Sequence, residues 1–94
     1  MIPHIVHYCW FGRNPKNYIA RRCVKSFDKL GRVKIIEWNE DNCDLGKNRY
    51  VHEAYENGLW AFVSDYVRLK ALYEYGGIYF DTDVEVRKPF PEKF

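Results

Sequence analysis

The stretch Gly76–Val84, GGIYFDTDV, decides how the rest of the sequence is read. An apolar run that opens on Gly-Gly reads as a buried strand, yet it ends in two carboxylates, Asp81 and Asp83. With a side-chain period of two, Tyr79, Asp81 and Asp83 fall on one face of such a strand. Like charges on one face repel, and burying either without a partner is costly. A metal ion, a pair of cationic side chains, or a bend that takes both groups into water would offset that cost.

Upstream of the two glycines, Trp60–Tyr75 reads as a helix stopped at Gly76-Gly77. Phe62, Tyr66, Leu69 and Tyr73 form one apolar stripe on it, and Val63, Val67 and Ala71 form a second nearly opposite. A helix apolar on two sides is expected to be largely covered. Before it, RYVHEAYEN from Arg49 reads as a short helix ending at Gly58, and NEDNCDLGKN as a polar loop with turn chemistry. VKIIEW, Val33 to Trp38, is a strand. A further helix is expected from near Pro15, with Asn14 as N-cap and Pro at the first helical position. Its stripe is Ile19, Ala20, Cys23, Val24, Phe27 and Leu30, and Gly31 stops it.

The first strand is IPHIVHYCWF. Ile2, Val6, Tyr8 and Trp10 point one way; Ile5, Cys9 and Phe11 point the other. Apolar residues on both faces mark a central strand of a mostly parallel sheet. The third strand is expected to run through GIYFDTDVEV, and RKPFPEKF to leave the sheet because its prolines do not suit a central strand. The order β-α-β-α-α-β predicts an α/β sandwich of Rossmann type, three mostly parallel strands with about three helices. Ligands in such sheets bind outside the carboxyl ends of the strands. Those ends are Trp10-Phe11-Gly12, Trp38-Asn39-Glu40 and Asp81-Thr82-Asp83.

Ninety-four residues suit one domain. Apolar residues at 47% and aromatics at 18% exclude a disordered chain. Residues 1–50 carry ten Lys/Arg against five Asp/Glu, and residues 51–94 carry five against eight. The basic excess between Arg13 and Lys34 suits a solvated helix face, with an acidic partner or an anionic lipid surface as the alternative. Cys9, Cys23 and Cys43 show no CxxC, so neither a disulfide framework nor a zinc site is implied. His4 and His7, three apart on a strand, face opposite sides and would not share a metal; each suits core or surface. The opening residues lack a basic leader and no run approaches 18 apolar residues, so neither a secretory leader nor a membrane span is expected; the three cysteines without a disulfide framework fit a reducing compartment, and the expected setting is cytoplasmic.

Two carboxylates at the DTD spacing can serve a hard divalent cation, Mn²⁺ or Mg²⁺, with substrate phosphates completing its shell. A solvated strand end with two surface acids is the plainer alternative. Asp65 and Arg68, in SDYVR, are neighbours on one helix face. They form either a surface ion pair, contributing roughly 0–1 kcal/mol, or an acid and a cation aimed at a polar ligand. Trp10 is either core or a flat face for a nucleobase. No GxGxxG and no GxxxxGK[ST] occurs, so the phosphates of a bound nucleotide need another means of neutralisation.

Taken together, IPHIVHYCWFG, WNEDN and WAFVSDYVRLKALYEYGGIYFDTDVEV resemble the glycosyltransferases that carry the DxD sugar-binding region. These are grouped as glycosyltransferase family 32, with bacterial capsular-polysaccharide transferases and the yeast initiating mannosyltransferase among them; the large clostridial glucosylating toxins share the core. The resemblance implies a GT-A fold, of which this chain is the nucleotide-sugar-binding half. It implies a retaining transfer of sugar from a UDP- or GDP-sugar donor to a saccharide acceptor. It assigns Asp81 and Asp83 to Mn²⁺ and the donor diphosphate, Asp65 and Arg68 to the donor sugar and phosphate, Tyr79 to the nucleotide pocket, Trp10 to stacking on the base, and Asn39 to a nucleotide contact. Nucleic acid is not an expected partner; peripheral membrane association, at the inner face, and a homodimer paired through open sheet edges are.

Domains of that family extend well beyond the DxD, whereas here it lies close to the last residue. The 94 residues are therefore expected to be the N-terminal part of a longer domain and to transfer sugar poorly or not at all alone. A non-catalytic nucleotide-sugar or metal-binding module is the alternative. A phosphatase of the haloacid-dehalogenase type also ends a strand in DxD, but wants Thr or Val where Glu85 stands.

Overall fold

Five residues, Ile5–Cys9, form the central strand, β1, of a three-stranded sheet in the computed structural model, which describes residues 3–88. Helix α1 spans Tyr18–Ser26 and runs on into a 3-10 turn, Phe27–Leu30, that stops at Gly31. Strand β2 is Lys34–Trp38. A 3-10 turn at Leu45–Lys47 leads to α2, Arg49–Glu56, and then to α3, Trp60–Tyr75. Strand β3 is Ile78–Tyr79. The sheet order is β2-β1-β3 and both pairings are parallel. The expected α/β class, with three parallel strands and three helices, is the one found, and it is consistent with a GT-A-like half.

The two-sided apolar pattern of β1 produces two cores. Val6 and Tyr8 pack with Phe27, Leu30 and Val86 on the α1 side. Cys9 and Phe11 pack with Val51, Ala54, Val63 and Val67 on the side of α2 and α3. Phe27 is wholly buried; a side chain of that size contributes about 1.5–3 kcal/mol. Beyond β3 the chain returns to α1, where the Val86 N–H donates to Ser26 Oγ at 2.8 Å.

The junction of α3 and β3 is the tightest place in the fold. Gly76 and Gly77 both have positive φ, 69° and 93°. A Cβ on Gly77 would fall 2.4 Å from the Ile5 carbonyl oxygen. Beside them His7, fully buried, accepts a hydrogen bond at Nδ1 from Trp38 Nε1–H at 3.0 Å. Its other nitrogen, Nε2, therefore carries the proton and donates to the Gly76 carbonyl at 2.8 Å. One imidazole so joins β2, β1 and the end of α3.

Four expectations need correction. The third strand does not run to Val86. Only Ile78 and Tyr79 pair with β1, the Phe80 N–H reaches the His7 carbonyl at 2.9 Å, and the chain then turns, Val84 N–H donating to the Asp81 carbonyl at 3.1 Å. Asp81 and Asp83 thus lie within one turn and do not alternate along a strand, and both are exposed. Helix α1 starts later than expected because Asn17, not Asn14, caps it, its side chain accepting from Ala20 N–H at 2.8 Å. Ile19 is not in the buried stripe but 61% exposed. On α3 the Val63–Val67–Ala71 stripe is core, whereas Phe62, Leu69 and Tyr73 are exposed, because α2 and β1 cover one side only. Ile2, which the sequence places on β1, lies outside the described residues.

Replacing Gly77 by Ala adds a backbone clash to positive-φ strain, whereas Gly31, at φ 90°, has nothing within 4 Å of a built Cβ. In urea denaturation Gly31→Ala is expected to lose about 1–3 kcal/mol. Gly77→Ala should lose distinctly more or fail to fold; equal losses would contradict the close approach to Ile5.

Candidate functional site

Helix α3 and the segment after it run in opposite directions from the Gly76-Gly77 turn, which sets their residues side by side. Asp65 lies about 15 Å back along the helix from Tyr75 at 1.5 Å per residue. Asp81 lies about 13 Å beyond Gly77 at 3.3 Å per residue. The helix acid and the DTD turn therefore come level, and they line one hollow of about 390 Å³ together with Arg68, Tyr79, Thr82 and Asp83. That volume is within the range of small-molecule sites.

Arg68 is fixed from two directions. Its guanidinium sits 3.3 Å from Asp65 Oδ1 and 5.4 Å from the centre of the Tyr79 ring. With the acid partner 66% exposed, the ion pair adds little stability; it orients the cation. Beneath lies Cys9. Burial pushes its thiol up to about 12, only partly opposed by the hydrogen bond to Tyr79 and the charge of Arg68. Burial likewise raises the Tyr79 phenol, reinforced by Cys9 and Asp81. Both groups keep their protons at neutral pH. The charges of the hollow are then three carboxylates, Asp65, Asp81 and Asp83, against the one guanidinium of Arg68.

Trp10 and Asn39 line a different hollow, of about 360 Å³, with Lys16, Glu37, Glu40 and Asp41. Cys9 and Trp10 are consecutive at the end of β1 and point to opposite faces, so the two hollows flank that strand end. Trp10 Nε1–H donates to the Asn14 carbonyl at 2.7 Å, and Lys16 Nζ lies 5.9 Å from its ring centre. Asn39 is engaged at both ends: its amide donates to Glu37 at 2.6 Å and its Oδ1 accepts from Asp41 N–H at 2.9 Å. It shapes the loop that follows β2. A smaller hollow of about 140 Å³ lies between α3 and that loop, lined by Trp38, Cys43, Tyr66 and Lys70.

Of the residues singled out from sequence, Asp65, Arg68, Tyr79, Asp81 and Asp83 come together, and Trp10 and Asn39 lie across the end of β1. Sequence reasoning missed Cys9 as the floor, and the pairing of Lys16 with Glu37 at 2.5 Å. The alternation of Cys9 with Trp10 on β1 was the signal for the first. Nothing local signalled the second, which joins residues far apart in the chain.

Over residues 15–93 the sequence matches the family described as glycosyltransferase sugar-binding region containing DXD motif. The chain belongs to that family. The matched span takes in Asn39, Asp65, Arg68, Tyr79, Asp81 and Asp83 and leaves Trp10 outside. No curated protein and no solved structure matches the chain.

Two carboxylates brace the loop after β2 and make it sensitive to acid. Burial works against the charge of Glu37, but Lys16, Asn39 and the Tyr8 hydroxyl outweigh it and hold the carboxyl below its ordinary range. Burial likewise opposes the charge of Glu40, which the Gly12 N–H and the Tyr55 hydroxyl keep low. The unfolded chain takes up these protons first, near about pH 4.3. The stabilisation is therefore present above that pH and is lost as pH falls through the lower folded values. Stability measured by denaturation should fall below about pH 4.5, and Glu37→Gln should flatten that limb. An unchanged acid limb in the variant would show that Glu37 is not responsible.

Proposed function

We propose that this chain supplies the donor half of a metal-dependent glycosyltransferase of family 32, taking a sugar from a UDP- or GDP-sugar and passing it, with retention at the anomeric carbon, to a saccharide acceptor. Polysaccharide or capsule synthesis in a bacterial cytoplasm is the setting this reading favours. It rests on one observation above others: both DTD acids, the Asp65–Arg68 pair and Tyr79 line a single hollow at the carboxyl edge of the sheet.

The charge of the hollow supports the reading. Three carboxylates against one guanidinium would repel an ionised diphosphate, so a donor needs a cation between them. The donor set fits such an ion. Mg²⁺-like cations often take one or two carboxylates and complete their shell with substrate phosphates. Asp81 and Asp83 are exposed carboxylates on one turn, and no cluster of three or more His, Cys, Asp or Glu forms a full protein cage among the described residues. Bound by these two acids, the ion would neutralise the charge that builds on the departing diphosphate.

The chain's own residues have distinct tasks. Arg68, held by Asp65 and the Tyr79 ring, presents its guanidinium to the diphosphate in a site walled on one side by protein. The free oxygen of Asp65 accepts from sugar hydroxyls and steadies the positive charge that develops at the anomeric carbon. Tyr79 and Cys9, both protonated, provide a neutral floor. Trp10 offers its ring to the base from the second hollow, so the nucleotide lies across the end of β1.

Calorimetry with UDP- and GDP-sugars tests this. Binding should require Mn²⁺ or Mg²⁺ and be lost in Asp83→Asn. Arg68→Ala should weaken it by about 10- to 100-fold, the worth of a charge-assisted hydrogen bond. Donor affinity unaffected by either substitution would overturn the assignment. Transfer to saccharide acceptors by these 94 residues alone should be poor or absent, and robust turnover would contradict the reading of the chain as a donor half.

A further inference from the structure

The side of α1 turned away from the core carries Tyr18, Arg21, Arg22 and Lys25, all exposed, and Lys29 follows in the 3-10 turn. Between residues 18 and 32 the cations are Arg21, Arg22, Lys25, Lys29 and Arg32, against the single acid Asp28. The basic residues nearer the site are neutralised, Lys16 by Glu37 and Arg13 by Asp41. On α1 only Arg22 has a carboxylate partner among the described residues, Glu85 at 2.9 Å. Arg21, Lys25, Lys29 and Arg32 have no ion pair among those residues, and Arg87, 3.9 Å from Glu85, adds a further cation along the same edge.

An apolar feature accompanies this charge. Tyr18 and Ile19, in the first turn of α1, are 66% and 61% exposed. Cations beside an exposed aromatic and an aliphatic side chain form the composition that settles at the headgroup level of a bilayer. A nucleic-acid backbone would meet the cations alone and leave the exposed Ile19 without a partner, whereas a bilayer interface takes both.

We propose that the outer face of α1 docks this protein on an anionic lipid surface, the unpaired cations meeting the headgroups and Tyr18 with Ile19 entering the interface. Pro15 and Lys16, just before α1, line the hollow beside Trp10. Docking therefore sets the carboxyl edge of the sheet beside the membrane. None of the residues that line the acidic hollow takes part, so the proposal stands or falls apart from the donor reading.

Co-sedimentation tests it, with vesicles of phosphatidylcholine alone and of phosphatidylcholine mixed with phosphatidylglycerol. The protein should partition onto the mixed vesicles only, and less so as salt rises. The triple variant Arg21→Gln/Lys25→Gln/Lys29→Gln should lose about 100-fold, close to five-fold per cation. Tyr18→Ser/Ile19→Ser should weaken vesicle binding while leaving binding to soluble polyphosphate unchanged. All five side chains are exposed, so each variant should keep the thermal midpoint and donor affinity of the parent. Equal partition onto both vesicle types, a triple variant that sediments like the parent, or binding to a nucleic-acid duplex with none to vesicles would overturn the proposal.

Discussion

The rest of this structure depends on how closely the turn between α3 and β3 approaches β1. Gly77 sits against the Ile5 carbonyl where no side chain has room, and the His7 imidazole draws in the Gly76 carbonyl while accepting the Trp38 indole N–H. A buried donor or acceptor left without its partner costs about 1–3 kcal/mol, so the three elements are held to one arrangement. From that point the helix runs one way and the chain beyond β3 the other. The level at which Asp65 and Arg68 meet the DTD turn follows from the rise per residue of each. The site is thus a consequence of a backbone contact at the far end of the sheet.

The paired acids owe their tolerance in the fold to geometry. A strand would have stacked Asp81 and Asp83 on one face and buried them in part. The chain instead leaves the sheet after Phe80, and both carboxylates reach water. No cation is needed for folding at this place. On the proposed reading the need arises only when a diphosphate enters, because Asp65 adds a third negative charge to the hollow and Arg68 supplies its single positive one. Cys9 and Tyr79 cannot shift that balance, since burial keeps both protonated.

Much of this was legible in the residues. Apolar positions on both sides of IPHIVHYCWF announced a central strand with a core on each face, and Gly-Gly after a long apolar helix announced the return. The i, i+3 spacing of Asp65 and Arg68 put them on one face, and they do form an ion pair. The length of β3 was not legible: apolar residues continue past Tyr79, but β1 pairs only Val6 and His7 with that strand. The start of α1 was ambiguous because both Asn14 and Asn17 can cap; the Asn14 carbonyl is taken by Trp10, and Asn17 does the capping. Periodicity showed two apolar stripes on α3 and could not say which one a neighbour would cover. The role of His7 joins residues distant in sequence and leaves no local mark.

At the centre stands the claim that the hollow admits a diphosphate only together with a divalent cation. Mn²⁺ binding followed by electron paramagnetic resonance, with the protein alone and with UDP or GDP added, tests it most directly. The expected result is weak Mn²⁺ binding to the protein by itself, as suits two exposed carboxylates, and a tight ternary complex when protein, nucleotide and metal are present together. Tight binding of the nucleotide with the metal chelated away would contradict it.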